Sequence, residues 1–238
     1  MSAGRRFDVD VASRRANVTV GLLIAGIVAD ALNLVVTWLE HATILRYEEG
    51  AATGGEVNAA LDRSGNVALV VLVVFLATVV AWLMWQHRSQ ANLHAAGVPR
   101  LGFTPGWAVG WWFVPIANLW KPFQSVRELH EASTGDPAWT PRAPARLAWW
   151  WAGYLTFNIL DGIAGRLFAD ESPSLEPLLI GDRFSIAGDA VSIVTAVLAI
   201  RIVRMVVERQ RGLAARVAAS PPAPPRPDLW QQPTPDLP

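Results

Sequence analysis

Four apolar stretches, residues 18–39, 67–85, 147–168 and 184–203, divide the chain, and its charges lie between them rather than along them. Each is about as long as the 20 or so residues a helix needs to cross a hydrocarbon layer of about 30 Å. The first is too long for a signal-peptide core, and no small-x-small cleavage site leads into a soluble domain. The pattern predicts an all-α fold: an integral membrane helical bundle of four spanning helices. Residues 1–16 read as a polar N-terminal segment and 17–210 as the membrane helical domain. Residues 211–238 read as a Pro-rich, disordered tail of polyproline II character.

A fifth apolar stretch, 106–120, is short of a span, and Pro115 interrupts it by removing a backbone donor and clashing with the preceding turn. Charge decides how it lies. If it does not cross, fifteen basic residues fall on one side and three, Arg46, Arg63 and Arg183, on the other. If it crosses, the arginine-rich flank after residue 203 moves to the poor side. The positive-inside rule selects the first arrangement, with both termini cytoplasmic. The stretch is then expected to be re-entrant or interfacial, with Arg100 and Lys121 at one depth and the tryptophans between them buried against the inner ends of the spans.

Composition sharpens this picture. Hydrophobic residues make up 52% of the 238 positions and charged residues 17%, below the quarter or so of a soluble domain. The zero formal net charge conceals the segregation of charge, and no basic tract interleaved with aromatics points to nucleic acid. With no Cys, disulfides, thiolate metal sites and cysteine nucleophiles are excluded. Nineteen of the 20 basic residues are Arg, which with the abundance of Ala fits a bacterial protein, here of the cytoplasmic (inner) membrane. Pro221 to Arg226 spells P-x-x-P-x-R, a pattern that fits SH3-type grooves but also an ordinary solvated tail.

The run from Trp85 to Leu129 carries a resemblance. Trp85-x-x-Arg88-x-x-x-Asn92 precedes Pro105-Gly106-Trp107, then Gly110-Trp111-Trp112, then Pro115-Ile116-Ala117-Asn118-Leu119-x-x-Pro122. It resembles the bacterial multi-spanning membrane family catalogued as domain of unknown function 4328. The resemblance covers roughly residues 20–210 and implies a small multi-pass protein. It brings no established activity with it.

Two groups of residues are candidates for function. Ionisable side chains inside a bilayer are costly, which singles out Asp30, Asp161 and Asp189. Gly26, Asp30, Asn33 and Thr37 share a helical face, as do Tyr154, Asn158, Asp161 and Gly165, and Ser185, Asp189 and Ser192. These stripes are expected to face one another, with Arg166 as counter-ion and the second span left to lipid. They serve either as interhelical hydrogen bonds or as a site for a proton, cation or polar solute. The second group is the cytoplasmic face: Trp85, Arg88, Asn92, Pro115, Asn118, Lys121, Pro122 and Arg127. Here Asn118 or Arg88 satisfies a carbonyl freed by Pro115, or Arg88, Lys121 and Arg127 hold a lipid phosphate among interfacial tryptophans.

No enzyme is predicted. His87 and His94 share a face without a third ligand, and no nucleophile elbow, zinc-protease helix or phosphate-binding glycine loop occurs. Neither a cofactor nor a metal is implied. The expected role is a structural or interaction module that binds lipid, a membrane partner or a second copy of itself. The alternative is a small transporter-like or ion-binding protein that uses the aspartates.

Overall fold

Uninterrupted apolar and helix-favouring sequence, closed at each end by turn chemistry, produces long helices. α1 (Val9–Glu48) starts where Asp8 accepts a hydrogen bond from the Val11 N–H at 2.9 Å, and its C-terminal turn runs into Gly50, which takes φ +72°. α2 (Gly54–Ala95) opens on a capping box between Thr53 and Glu56. A computed structural model describes residues 8–142, 144–169 and 174–219. After α2 come the six-residue α3 (Pro105–Gly110), two 3-10 turns (Trp111–Phe113 and Ala117–Leu119) and α4 (Lys121–Ala132). α5 (Ala145–Phe168) and α6 (Glu176–Ala219) complete the chain, and no strand occurs among the described residues.

α1, α2 and α6, of 40, 42 and 44 residues, are each roughly 60 Å long, twice the thickness of a hydrocarbon core. They pack antiparallel in the order α2–α1–α6–α5, and aromatic side chains close the gap from α2 to α5, Trp82 stacking on Trp150 and Phe75 meeting Phe157. α1 begins and α6 ends at the same end of the bundle, the basal end; α3, the 3-10 turns and α4 form a cap there. The main apolar core lies in this basal half, from Ala16 and Val20 of α1 through Trp85 and Leu129 to Ile202 and Val206. A smaller cluster, Ile44, Val57 and Leu179, seals the far end. Between the two clusters the buried residues of α1 include Asp30, Asn33, Thr37 and Glu40.

Three helices, α1, α2 and α6, are long and apolar enough to cross a membrane, not the four expected. α5 forms over the expected residues, but its length is diluted by Trp149, Trp150, Trp151, Tyr154, Asn158, Asp161, Arg166 and three glycines. Helix also extends beyond the expected boundaries. α1 takes in residues from Val9, and α6 runs past 211 to Ala219. Residues 1–7 and 220–238, including the P-x-x-P-x-R pattern, lie outside the described residues. α2 is the least covered of the three apolar helices. Only 11% of its most apolar stretch is buried, against 28% in α1 and 33% in α6.

Candidate functional site

The basal cap is organised by polar side chains of α2 that the core has swallowed whole. Gln86 is fully buried. Its Oε1 accepts from the indoles of Trp82 (3.1 Å) and Trp112 (3.0 Å), and its Nε2 donates to Ala108 O (3.0 Å) and Ser125 Oγ (2.8 Å). One turn on, Gln90 donates to Phe103 O and to Glu128 Oε1. Glu128 in turn accepts the backbone N–H groups of Gly102 (2.7 Å) and Phe103 (3.2 Å). Burial pushes the Glu128 carboxyl above its ordinary range, and these three donors partly offset that. The strand of chain entering the cap is thereby tied to the helix leaving it.

Between those anchors the segment 105–120 goes out and comes back. Lys121 Nζ sits 5.5 Å from the Trp111 ring centroid and 5.9 Å from that of Phe103, so both flanks meet at the basal end. At the tip Ile116 has φ 66° and ψ −56°, and the Ala117 N–H reaches back to Pro115 O at 2.7 Å. This is a γ-turn with positive φ, a strained conformation that is exceptional for a β-branched residue. Ile116 is 74% exposed. Around it Trp107, Phe113, Leu119 and Trp120 are exposed as well, as is Trp149 on neighbouring α5. Only Trp112 turns inward to Gln86, so the tryptophans are not all buried against the helix ends as expected. Asn118 does not serve as anticipated either. The helix stops at Gly110, before Pro115 can break it, and it is the backbone N–H of Asn118 that bonds Val114 O at 2.9 Å. Its Oδ1 is buried without a partner among the described residues. Trp151 donates to Leu119 O, and Pro122, which is buried, occupies the first turn of α4.

The Trp85–Arg88–Asn92 face turns inward and knits the basal ends together. Trp85 packs fully buried against Trp82. Asn92 accepts from the Asp8 N–H (3.2 Å) and donates to Asp8 O (3.1 Å) and Gln210 Oε1 (3.3 Å). Gln210 donates onward to Ser89 O. Arg88 lies 3.9 Å from Asp8, whereas Arg127 lies over the Phe123 ring. Arg88, Lys121 and Arg127 each contact a different neighbour: Asp8, the Trp111 and Phe103 rings, and the Phe123 ring. Elsewhere on α4, His130 is buried, 2.9 Å from Met205 Sδ and 3.1 Å from Arg209 Nη1. Burial, and then the Arg209 charge, hold its imidazole below the ordinary value.

The polar residues of the bundle form a ladder between α1 and α6. Asn33 donates to Asp189 Oδ2 at 2.9 Å, and Ser192 donates to Asp30 Oδ2 at 2.7 Å. Higher up, His41 Nδ1 lies 3.2 Å from Asp182 Oδ2, beside the buried Glu40. Asp182 is wholly buried, and its Oδ1 has no hydrogen-bond partner among the described residues. α5 joins only at the edge. The backbone of Asp161 lies near Gly188, but the side chains of Asn158, Asp161 and Arg166 are exposed. The Asn158 amide bonds back to Tyr154 O, and Arg166 makes no ion pair with the aspartates among the described residues. No group of three or more His, Asp or Glu able to hold a metal occurs among them.

The model of a family described as a domain of unknown function, DUF4328, matches residues 48–208. The chain belongs to this DUF4328 family. No curated protein and no solved structure matches it.

The DUF4328 match takes in the cap, its tip and the Trp85–Asn92 face, but only the last residue of α1. Asp30 and Asn33, which supply half of the ladder, thus lie outside it. Sequence reasoning missed Glu40, His41 and Asp182, which lie just outside the apolar stretches 18–39 and 184–203. The signal was present: Glu40 and His41 continue the Asp30–Asn33–Thr37 stripe at helical spacing, and Asp182 lies seven residues before Asp189. Gln86, Gln90 and Glu128 were missed because buried amides look like surface residues until their partners are known.

Proposed function

We propose that this DUF4328 protein is a four-span protein of the bacterial cytoplasmic membrane that binds lipid through its cytoplasmic cap, with an anchoring rather than an enzymatic role. Packing supports the fourth span. Phe168 of α5 fits against Gly181 of α6, where a Cβ would come within 2.6 Å of the ring, and Gly153 fits against Thr195. Close approach through small residues is how helices associate in lipid. Held against α6 from Gly153–Thr195 to Phe168–Gly181, α5 would cross the bilayer beside that part of α6. Four spans return the chain to the basal end, and the arginine-rich flanks support that end as cytoplasmic.

The observation that carries the lipid reading is the exposed Ile116 at the apex of a strained turn, ringed by aromatic and aliphatic side chains. An apolar wedge of this kind is unfavourable in water and favourable at the boundary of headgroups and acyl chains, where tryptophans concentrate. The experiment is Ile116→Gly. Glycine adopts positive φ without strain, which removes a cost of about 1–3 kcal/mol while deleting the wedge. The variant in detergent should be as stable as the parent or more so, yet its 105–120 segment should lose protection from hydrogen exchange in lipid nanodiscs. Unchanged protection in nanodiscs would contradict the lipid role.

A second reading is supported by the unpartnered, buried Asp182 Oδ1 at the top of the α1–α6 ladder: a proton- or cation-binding line of carboxylates. It predicts that Asp182→Asn abolishes a cation- or proton-dependent change in α1–α6 spacing measured by paired labels. The same change in parent and variant excludes it.

A further inference from the structure

The outer surface of the α1–α2 pair carries a groove of about 560 Å³ that the cap does not touch. Its walls are Val18 and Leu22 of α1 and Leu76, Val80 and Met84 of α2, and it is open because Ala77 and Ala81, one turn apart, leave its floor low. From Leu76 to Met84 it runs about 12 Å along α2. Val18, Leu76, Val80 and Met84 are about half exposed or more. Apolar almost throughout, it ends in charge: Arg14 and Arg15 line it on the basal side. Arg15 is oriented by one bond, from Nη1 to Met84 O at 2.9 Å, and its guanidinium has further N–H donors to offer.

An apolar trough leading to two guanidinium groups where the apolar part of α1 begins matches one kind of molecule. We propose that the groove binds an anionic phospholipid, with its phosphate on Arg14 and Arg15 and the upper part of one acyl chain between α1 and α2. Charge selects this occupant. A zwitterionic lipid fills the trough equally well but brings a cation to the arginines, and a second copy of the chain would set like charges against them. The Asp8 carboxylate acts on both Arg88 and Arg14 and so offsets part of the positive charge there, while Arg14 and Arg15 both line the groove and together keep its basal end positive. The site goes beyond the cap: it lies on other residues and does not depend on Ile116.

The test uses the full chain purified in a neutral detergent, with thermal midpoint and native mass spectrometry as readouts. Dioleoyl-phosphatidylglycerol, dioleoyl-phosphatidylcholine and inorganic phosphate are added separately. The expected result is retention of phosphatidylglycerol over phosphatidylcholine by roughly tenfold or more, lost in the Arg14→Gln/Arg15→Gln double variant. Val80→Trp, at an exposed position that leaves the fold intact, should fill the trough and lower retention of both lipids. Equal retention of the two lipids, an unaltered preference in the double variant, or a response to inorganic phosphate as large as that to phosphatidylglycerol would each overturn the proposal. Because Ile116→Gly leaves these residues in place, it should retain the preference, which separates failure of this site from failure of the cap.

Discussion

Replacing Gln86 with Leu keeps the volume of the side chain and deletes four hydrogen bonds at the centre of the cap. The Trp82 and Trp112 indoles lose their acceptor, and Ala108 O keeps only the longer 3.5 Å bond from Ser125. The Ser125 hydroxyl itself survives, since it also donates to Pro122 O at 2.9 Å. One buried and one half-buried donor, at about 1–3 kcal/mol for each group left unmade, give a loss of about 2–6 kcal/mol, to which the weakened acceptor adds. A loss of that size is a large part of the 5–15 kcal/mol typical of a whole domain. It falls on one place, because α1, α5 and α6 pack on one another without Gln86. Hydrogen exchange should therefore show the cap, residues 105–126, opening while the α1–α6 ladder stays protected. A stability loss under about 1 kcal/mol, or an equal loss of protection throughout, would refute the assignment of Gln86 as the cap's anchor.

Two further outcomes are expected. His130 has its folded-state pKa depressed from the ordinary 6.5, so its contribution to stability is complete above that value and is lost as pH falls through the lower, folded one. Acidification below pH 6.5 should loosen α4 from α6 in the parent and not in His130→Gln; parallel pH curves would remove His130 as the cause. In a double-mutant cycle, Asn33→Leu and Asp189→Leu should couple by about 0.6 kcal/mol and no more than about 1.7, the range for interhelical hydrogen bonds in membranes. Zero coupling in unfolding measurements would mean that the pair does not join α1 to α6.

The helices could be read from the sequence because long apolar runs in lipid admit almost no other backbone arrangement. The out-and-back course of 105–120 was legible for a related reason: Pro115, Pro122 and the flanking cations all argue against a crossing. Side-chain partnership was much less legible. Trp85, Arg88 and Asn92 share a helical face in the sequence, but that Arg88 and Asn92 meet Asp8, a residue 84 positions before Asn92, is a contact that only tertiary packing creates. Arg166 looked like a counter-ion by its place on α5, but the rotation of that helix puts it on the surface. Helical spacing places residues on a common face without saying which neighbour the face meets.

The proposed insertion of the tip into lipid is tested most directly by its depth. With no native Cys, Ile116→Cys gives a single labelling site on an otherwise unaltered chain. A nitroxide at that position in anionic nanodiscs should be relaxed by oxygen, which concentrates in the acyl region, and shielded from a water-soluble nickel chelate. A control label at Ala138, in the loop after α4, should show the reverse. If the label at position 116 is as open to the chelate as the one at 138, the cap does not enter the bilayer and the proposed anchoring role is wrong.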